Sequence, residues 1–299
     1  DLHSFPTRRS SDLPTALSGG EPMTHPTNAA ATGLYDLRTG DWNKRLMEVV
    51  APGLDLCLPK IGDSKMEFTV DTLTVVAVPA VGDQQAALLG AGLNDNAALS
   101  VNLGTGAQVS RLVAHPEVGA TYQIRPYFDG HYIKTIPHLP SGRAVNVYIR
   151  FLQDILQHFC STAMDEEKIW RGLLEAAEKA ADSSLEIDLS FFANPVTSRT
   201  QGRITHIDEH GLSLEALAYG IFDQMAKNFL WAADLVATDP KEVGLILFSG
   251  GIAEKCSLIR DKIRQHYGSE VEYKISHHGT LYGLYCYGRS VFSGQKEGA

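Results

Sequence analysis

The chain has 299 residues, 44% of them hydrophobic and 20% charged, which is enough material for two packed domains of roughly 100–200 residues each. A formal charge of −9 without any Lys/Arg run speaks against nucleic-acid and membrane-surface partners and for a small-molecule one. Cys57, Cys160, Cys256 and Cys286 are far apart and form no Cys-x-x-Cys pair, which leaves little for metal-site, redox-motif or secreted-disulfide readings. With no run of ~18 apolar residues and no apolar leader, a reducing cytoplasm is the expected setting.

The run His3–Leu13 (HSFPTRRSSDL) resembles the translated read-through of a common sequencing adaptor, so 1–23 is set aside as an artefact or disordered start. Residues up to about Thr27 carry Pro, Gly, Ser and Thr without periodicity and read as linking. Thr39-Gly40-Asp41 signals a turn, with Asp36 and Asp41 as turn residues. Asn43–Val50 reads as a short helix with Leu46, Val49 and Val50 on one side. Thr69–Ala80, rich in Val and Thr and closed by Pro79, reads as one strand. Asp83 opens an Ala/Leu helix that stops near Gly90 and Gly92.

Ala97–Leu103 and Ala107–Val113 then read as strands joined by Gly104-Thr105-Gly106. Rossmann and P-loop sites put a helix after the glycine turn, and neither G-x-G-x-x-G nor G-x-x-x-x-G-K-[ST] occurs. A hairpin that offers backbone N–H groups and a Thr hydroxyl to phosphate points to an actin-like ATPase domain instead. From Gly142, the residues Val145, Tyr148, Ile149, Leu152, Ile155, Leu156 and Phe159 keep helical rhythm. Ser213 caps a second long helix carrying Leu214, Leu217, Ile221, Met225 and Phe229. Gly244–Phe248 is an apolar strand entering Ser249-Gly250-Gly251, followed by a helix with Cys256, Ile259 and Ile263 inward. Val271–Ile275 is a strand, and a final helix carries Gly279, Gly283 and Gly288. Strands alternating with helices indicate α/β. His277 and His278 are adjacent and point apart, so they do not make a metal pair. Trp42, Trp170 and Trp231 read as packing residues.

Three segments in order, Val81–Gly90 (VGDQQAALLG), Leu99–Ser110 (LSVNLGTGAQVS) and Leu245–Ile263 (LILFSGGIAEKCSLIRDKI), resemble the FGGY carbohydrate kinases. His25–Asn43 (HPTNAAATGLYDLRTGDWN) is similar to that family's segment leading to the sugar site. Pro126–Tyr132 (PYFDGHY) and the Gly142-led helix look most like the sedoheptulokinase branch, with xylulokinase and glycerol kinase as neighbours. The resemblance implies an actin-like (ribonuclease H-like) α/β fold with the C-terminal domain complete and the N-terminal one truncated. In that reading 24–96 is the remnant of the sugar-binding domain and 97–299 is the nucleotide-binding domain.

It also implies transfer of the γ-phosphoryl of Mg·ATP to a sugar hydroxyl, sedoheptulose by branch resemblance. ATP and Mg²⁺ would be its cofactors, and no nucleic acid or membrane would be a partner. Asp83 falls at the catalytic base and is also the candidate Mg²⁺ ligand; its plain alternative is to cap the following helix. Asp83 and Gln84 face the sugar. Gly104, Thr105 and Gly106 match the second phosphate loop, Gly142 and Asn146 a position near the nucleotide phosphates, and Gly250 and Gly251 the adenosine loop. Where the family often has Asn shortly after that loop, this chain has Lys255 and Cys256. The family's opening Asp-x-Gly-Thr loop does not occur before Asp83, so the chain by itself is expected to be inactive. The alternative readings are a xylulose or glycerol kinase, or a non-catalytic nucleotide- or sugar-binding relative.

Overall fold

The computed structural model describes residues 15–54, 56–237 and 239–293; the adaptor-like run His3–Leu13 lies outside them. Its centre is a six-stranded mixed sheet. In chain order the strands are β1 (Ala98–Leu103), β2 (Ala107–Val113), β3 (Gln123–Pro126), β4 (Tyr132–Leu139), β5 (Leu245–Ser249) and β6 (Glu272–Ser276). Their spatial order is β6-β5-β1-β2-β4-β3. The pairs β1–β2, β2–β4 and β4–β3 are antiparallel, while β5 runs parallel to both β1 and β6. Tight turns allow the antiparallel hairpins, whereas the parallel strands arrive by long helical crossovers. β5 is buried and flanked by parallel neighbours, which is why it reads as an unbroken apolar run.

Seven helices matter for the site: α1 (Asp83–Ala91), α2 (Gly142–Cys160), α3 (Glu166–Lys179), α4 (Leu214–Val236), α5 (Gly251–Lys255), α6 (Ser257–Tyr267) and α7 (Thr280–Ser293). The period-2 pleat splits each strand between two cores. Leu99, Val101, Val109, Ile136, Ile246 and Phe248 face the larger core, built with α2, α3, α4 and α6. Ala98, Leu112, Ile133 and Leu247 face a smaller one with Leu88 of α1, Tyr127, Phe128 and Tyr287 of α7. Phe222, Phe229 and Phe248 are fully buried in the larger core, each contributing on the order of 2–3 kcal/mol. Ser213 caps α4 by accepting from Ala216 N at 3.1 Å. No helix among the described residues is long and apolar enough to cross a membrane.

Several local expectations change. Met23–Thr24 pairs with Lys60–Ile61, and His25 and Thr27 are buried, so ordered structure begins before Asn28. Thr69–Ala80 is not one strand: Met66–Val70 and Leu73–Ala77 form a hairpin turning at Asp71, whose φ is +54°. Asp tolerates that left-handed conformation, so a turn forms without Gly or Pro to announce it. The helix Lys44–Val50 is present with Asn43 as its cap, yet Val49 and Val50 are 73% and 64% exposed. In α2 the buried face ends near Ile149, and Phe159 is 77% exposed. The helix α3 and the small hairpin Glu186–Asp188/Arg203–Thr205 carry no motif and enter only with the structure.

Candidate functional site

The site is organised around the β1–β2 turn, Gly104-Thr105-Gly106, where Thr105 and Gly106 are exposed. The first N–H groups of a helix have no intrahelical acceptor. Here α2 satisfies two of them on the turn: Gly142 N donates to Gly104 O and Arg143 N to Thr105 O, each at 3.2 Å. A Cβ at Gly142 would stand 3.1 Å from Gly104 O, a tight contact, so glycine eases the approach. Gly250 has φ +91°, and a Cβ there would lie 2.6 Å from Leu103 O. That residue therefore carries both a left-handed backbone and the contact between the β5–α5 bend and the hairpin. Around Gly251, by contrast, the space is open.

These elements form one end of a cleft of about 950 Å³ lined by Gly104, Thr105, Gly142, Asn146, Gly251, Ile252 and Lys255 together with α3. From α3 and its cap come Asp165, Glu166, Glu167, Trp170, Arg171, Leu174, Glu175 and Glu178. Ile169, Leu173, Ala176 and Ala177 bury the opposite face of α3, which leaves this mixed apolar and charged face for the cleft. Trp170 Nε1 donates to Asn146 Oδ1 at 3.0 Å and so fixes that amide, while its ring packs toward Phe222. Lys255 Nζ lies 3.9 Å from Glu167 Oε1 and Ser257 Oγ donates to Glu178 Oε1 at 3.2 Å, which ties the α5–α6 side to α3. The next residue, Cys256, is buried, and burial pushes its thiol up to about 11, so it is no nucleophile.

On the other flank of the hairpin stands the N-terminus of α1. His25 Nδ1 and Thr27 Oγ1 are 2.7 Å apart, and Gly82 N donates to Thr27 Oγ1 at 3.0 Å, so the lead-in segment holds the end of this helix. Asp83 is exposed at the first helical position, and its Oδ1 accepts from Gln84 N at 2.7 Å. Gln84 is held at both ends of its amide. Its Oε1 accepts from Arg125 Nη1 at 2.6 Å and its Nε2 donates to Gln108 Oε1 at 2.7 Å. Gln108 pairs across the hairpin with Asn102, whose Nδ2 donates to Ser249 Oγ at 2.9 Å. Burial holds the Arg125 guanidinium below its usual range, against the opposing pull of the Asp83 carboxylate. The Gln84–Gln108 bond ties the start of α1, and with it Asp83, to the hairpin.

The structure thus brings Gly104, Thr105, Gly142, Asn146 and Gly251 to one cleft, with Gly250 beneath its floor and Gly106 completing the turn. Asp83 and Gln84 lie outside that lining, on the opposite flank. Among the described residues no three His, Cys, Asp or Glu side chains cluster as a metal cage. His277 pairs with Glu254 at 2.9 Å, and His278 stacks on Tyr282 with centroids 4.1 Å apart. Sequence reasoning missed the whole α3 wall and placed Trp170 in packing alone. The spacing of Ile169, Leu173, Ala176 and Ala177 marks the helix, and its opposite face is the wall.

No protein-family profile matches the chain. A glycerol kinase from Trichormus variabilis is 38% identical over 105 residues, 33% of this chain and 20% of that protein. One from Chloroflexus aurantiacus is 34% identical over 93 residues, 30% and 18% of the two chains. Among solved structures, a ligand-bound xylulose kinase from Lactobacillus acidophilus superposes with TM-score 0.76 at 17% identity, covering 96% of this chain and 59% of that one. The Plasmodium falciparum glycerol kinase with ADP gives 0.68 at 15% identity, covering 92% and 55%. The chain therefore spans about a fifth of the curated relatives and under two thirds of the structural ones. The fold is the α/β, actin-like ATPase fold of these sugar kinases.

Proposed function

We propose that the chain is part of an ATP-dependent kinase that phosphorylates a hydroxyl of a small sugar, with sedoheptulose as acceptor. The observation that carries this is the glycine turn Gly104–Gly106, with the cleft and the α2 N-terminus on one flank and Asp83 on the other. In this reading residues 24–96 belong to the sugar-binding unit and 97–299 to the nucleotide-binding unit.

The division of charge supports the orientation. Asp165, Glu166, Glu167, Glu175 and Glu178 outnumber Arg171 and Lys255 along the α3 side. Carboxylates repel phosphate but accept hydrogen bonds from ribose hydroxyls and from an exocyclic amine. The nucleoside therefore lies along α3 near Gly251 and Ile252. The phosphates lie at the hairpin, where Thr105 Oγ1 and turn N–H groups donate. Glycine at 251 leaves room for the ribose or base.

Asp83 then acts on the acceptor. Its carboxylate takes the proton of the attacking hydroxyl as the new O–P bond forms and the bond to the leaving ADP oxygen breaks, a contribution of about 10²–10⁴-fold. Mg²⁺, which typically takes one or two carboxylates and completes its shell with phosphate oxygens and water, would neutralise phosphate charge beside Asp83. An exposed carboxylate on the flank of the glycine turn fits that style of binding. Gln84, pinned between Arg125 and Gln108, offers its amide edge to the sugar in a fixed orientation.

Sedoheptulose rests on the likeness of Pro126–Tyr132 and the Gly142-led helix to that branch. A second reading, glycerol or xylulose as acceptor, draws on the glycerol kinase matches and the xylulose kinase likeness. Acceptor-dependent ADP release by the product of the full reading frame decides both. Sedoheptulose should give the highest kcat/KM, because a site built for more hydroxyls leaves polar groups unpaired around a shorter acceptor. A higher value for glycerol or xylulose moves the assignment to them. ATP turnover indifferent to every polyol and ketose refutes the kinase. Asp83→Asn should lower kcat by about 10²-fold or more with little change in nucleotide affinity; near wild-type turnover leaves Asp83 as a helix-end residue only.

A further inference from the structure

A second pocket, of about 260 Å³, opens at the far end of the same hairpin. Its floor is a cross-strand pair of cations. Arg111 of β2 stands directly opposite Lys134 of β4, and both side chains project on the face that carries Val109 and Ile136. Six residues of extended chain separate Arg111 from Thr105, about 20 Å along the strand, so this pocket and the cleft are different places. Like charges directly opposite one another in an antiparallel pair repel and destabilise it.

The two cations are unequally satisfied. Arg111 Nε donates to Asn96 O and Nη1 to Glu242 Oε2, both at 2.7 Å, and its side chain is 12% exposed. Lys134 is 8% exposed, and its ammonium rests over the Tyr122 ring at 4.1 Å from the centroid. Among the described residues no oxygen accepts a hydrogen bond from Lys134 Nζ, and none accepts from Arg111 Nη2. Burial and the neighbouring Arg111 hold the ammonium below its usual range, while Glu117 opposes them. The carboxylates facing the pocket are Glu117, which is exposed, and Glu242, already committed to Arg111. With no protein oxygen accepting from it, the ammonium leaves its shell to be completed from the pocket.

We propose that this pocket binds a small oxyanion of the phosphate class, bridging Lys134 Nζ and Arg111 Nη2. A tetrahedral oxyanion accepts from both donors at once and cancels the cross-strand repulsion. Guanidinium and ammonium groups form their strongest hydrogen bonds with such acceptors. The volume admits inorganic phosphate or the phosphate head of a small phosphorylated metabolite, and it is too small for a nucleotide. Because β2 carries both this pocket and the Gly104–Gly106 turn, the anion would sit on the strand that leads to the cleft. The proposal is independent of what the cleft binds.

Calorimetric titration of the chain with inorganic phosphate, and separately with glycerol 3-phosphate, in low-salt buffer tests it. Saturable binding is expected, weakened at least about tenfold by Lys134→Met and largely retained in Lys134→Arg. The tighter of the two probes identifies the source of the phosphate group. Binding that is equal in Lys134→Met overturns the site, as does no saturation up to about 50 mM of either probe. If the Lys134 variants do not fold, crystals of the wild-type chain soaked in tungstate give the answer. An anomalous peak within hydrogen-bond distance of Lys134 Nζ supports the proposal, and no peak there refutes it.

Discussion

Acid should loosen this protein through one histidine. His25 caps the short helix Pro26–Ala29, accepting from Thr27 N at 3.2 Å, and its ring lies between Phe128 and Tyr287 at centroid distances of 5.6 and 5.8 Å. Burial lowers its pKa from 6.5 to about 4, against a smaller pull from Asp63. The unfolded chain, with the higher pKa, binds the proton first, so stability is fully present above about pH 6.5 and falls as the pH drops toward 4. Linkage between those two values gives a loss of about 2 kcal/mol from pH 7.5 to pH 5, approaching about 3 kcal/mol below pH 4. Urea unfolding followed by tryptophan fluorescence at the two pH values measures it. Asn at position 25 can still accept from Thr27 N but cannot titrate. The pH 7.5 to pH 5 loss in His25→Asn should therefore be about 2 kcal/mol smaller than in wild type. Parallel losses in the two proteins would refute the claim that His25 is kept neutral. Because Thr27 Oγ1 also accepts from Gly82 N, protonation should release the N-terminus of α1 and with it Asp83.

Gly283→Ala should cost about 2–3 kcal/mol in the same unfolding assay, since its Cβ would run into the Ala86 carbonyl where α7 crosses α1; a change within about 0.5 kcal/mol would mean the helices can part freely. Thr105→Val should weaken nucleotide binding about 10–100-fold by removing a hydroxyl donor to a charged oxygen, with stability little changed. Unaltered ADP affinity in that variant would make the hairpin a structural turn only.

The parts of this molecule that follow from local pattern were legible before the structure. The Gly104–Gly106 hairpin lies between two strands whose apolar residues are continuous enough to read. Leu245–Ser249 reads as a buried strand because parallel neighbours cover both of its edges. The α4 cap at Ser213 is likewise a local event. What escaped depends on tertiary approach. Leu46, Val49 and Val50 keep helical spacing, yet Val49 and Val50 stay largely exposed, because periodicity reports a face and not its partner. The Asp71 turn has no glycine to mark it. The α3 wall contributes a mixed face and no motif, and the Arg125–Gln84–Gln108 chain joins polar residues up to 41 positions apart. The Arg111–Lys134 pair depends on strand register, which no short stretch of sequence discloses.

The central claim is that a nucleotide occupies the cleft between the hairpin turn and α3, and ADP binding by the chain tests it most directly. Gly251 has open space where a Cβ would be, so Gly251→Val can fold without a clash while filling the end of the cleft assigned to the nucleoside. The account predicts saturable ADP binding by the wild-type chain and a loss of at least about tenfold in Gly251→Val, with unfolding midpoints alike. No saturable binding by the wild-type chain, or equal affinity in the variant, would contradict it.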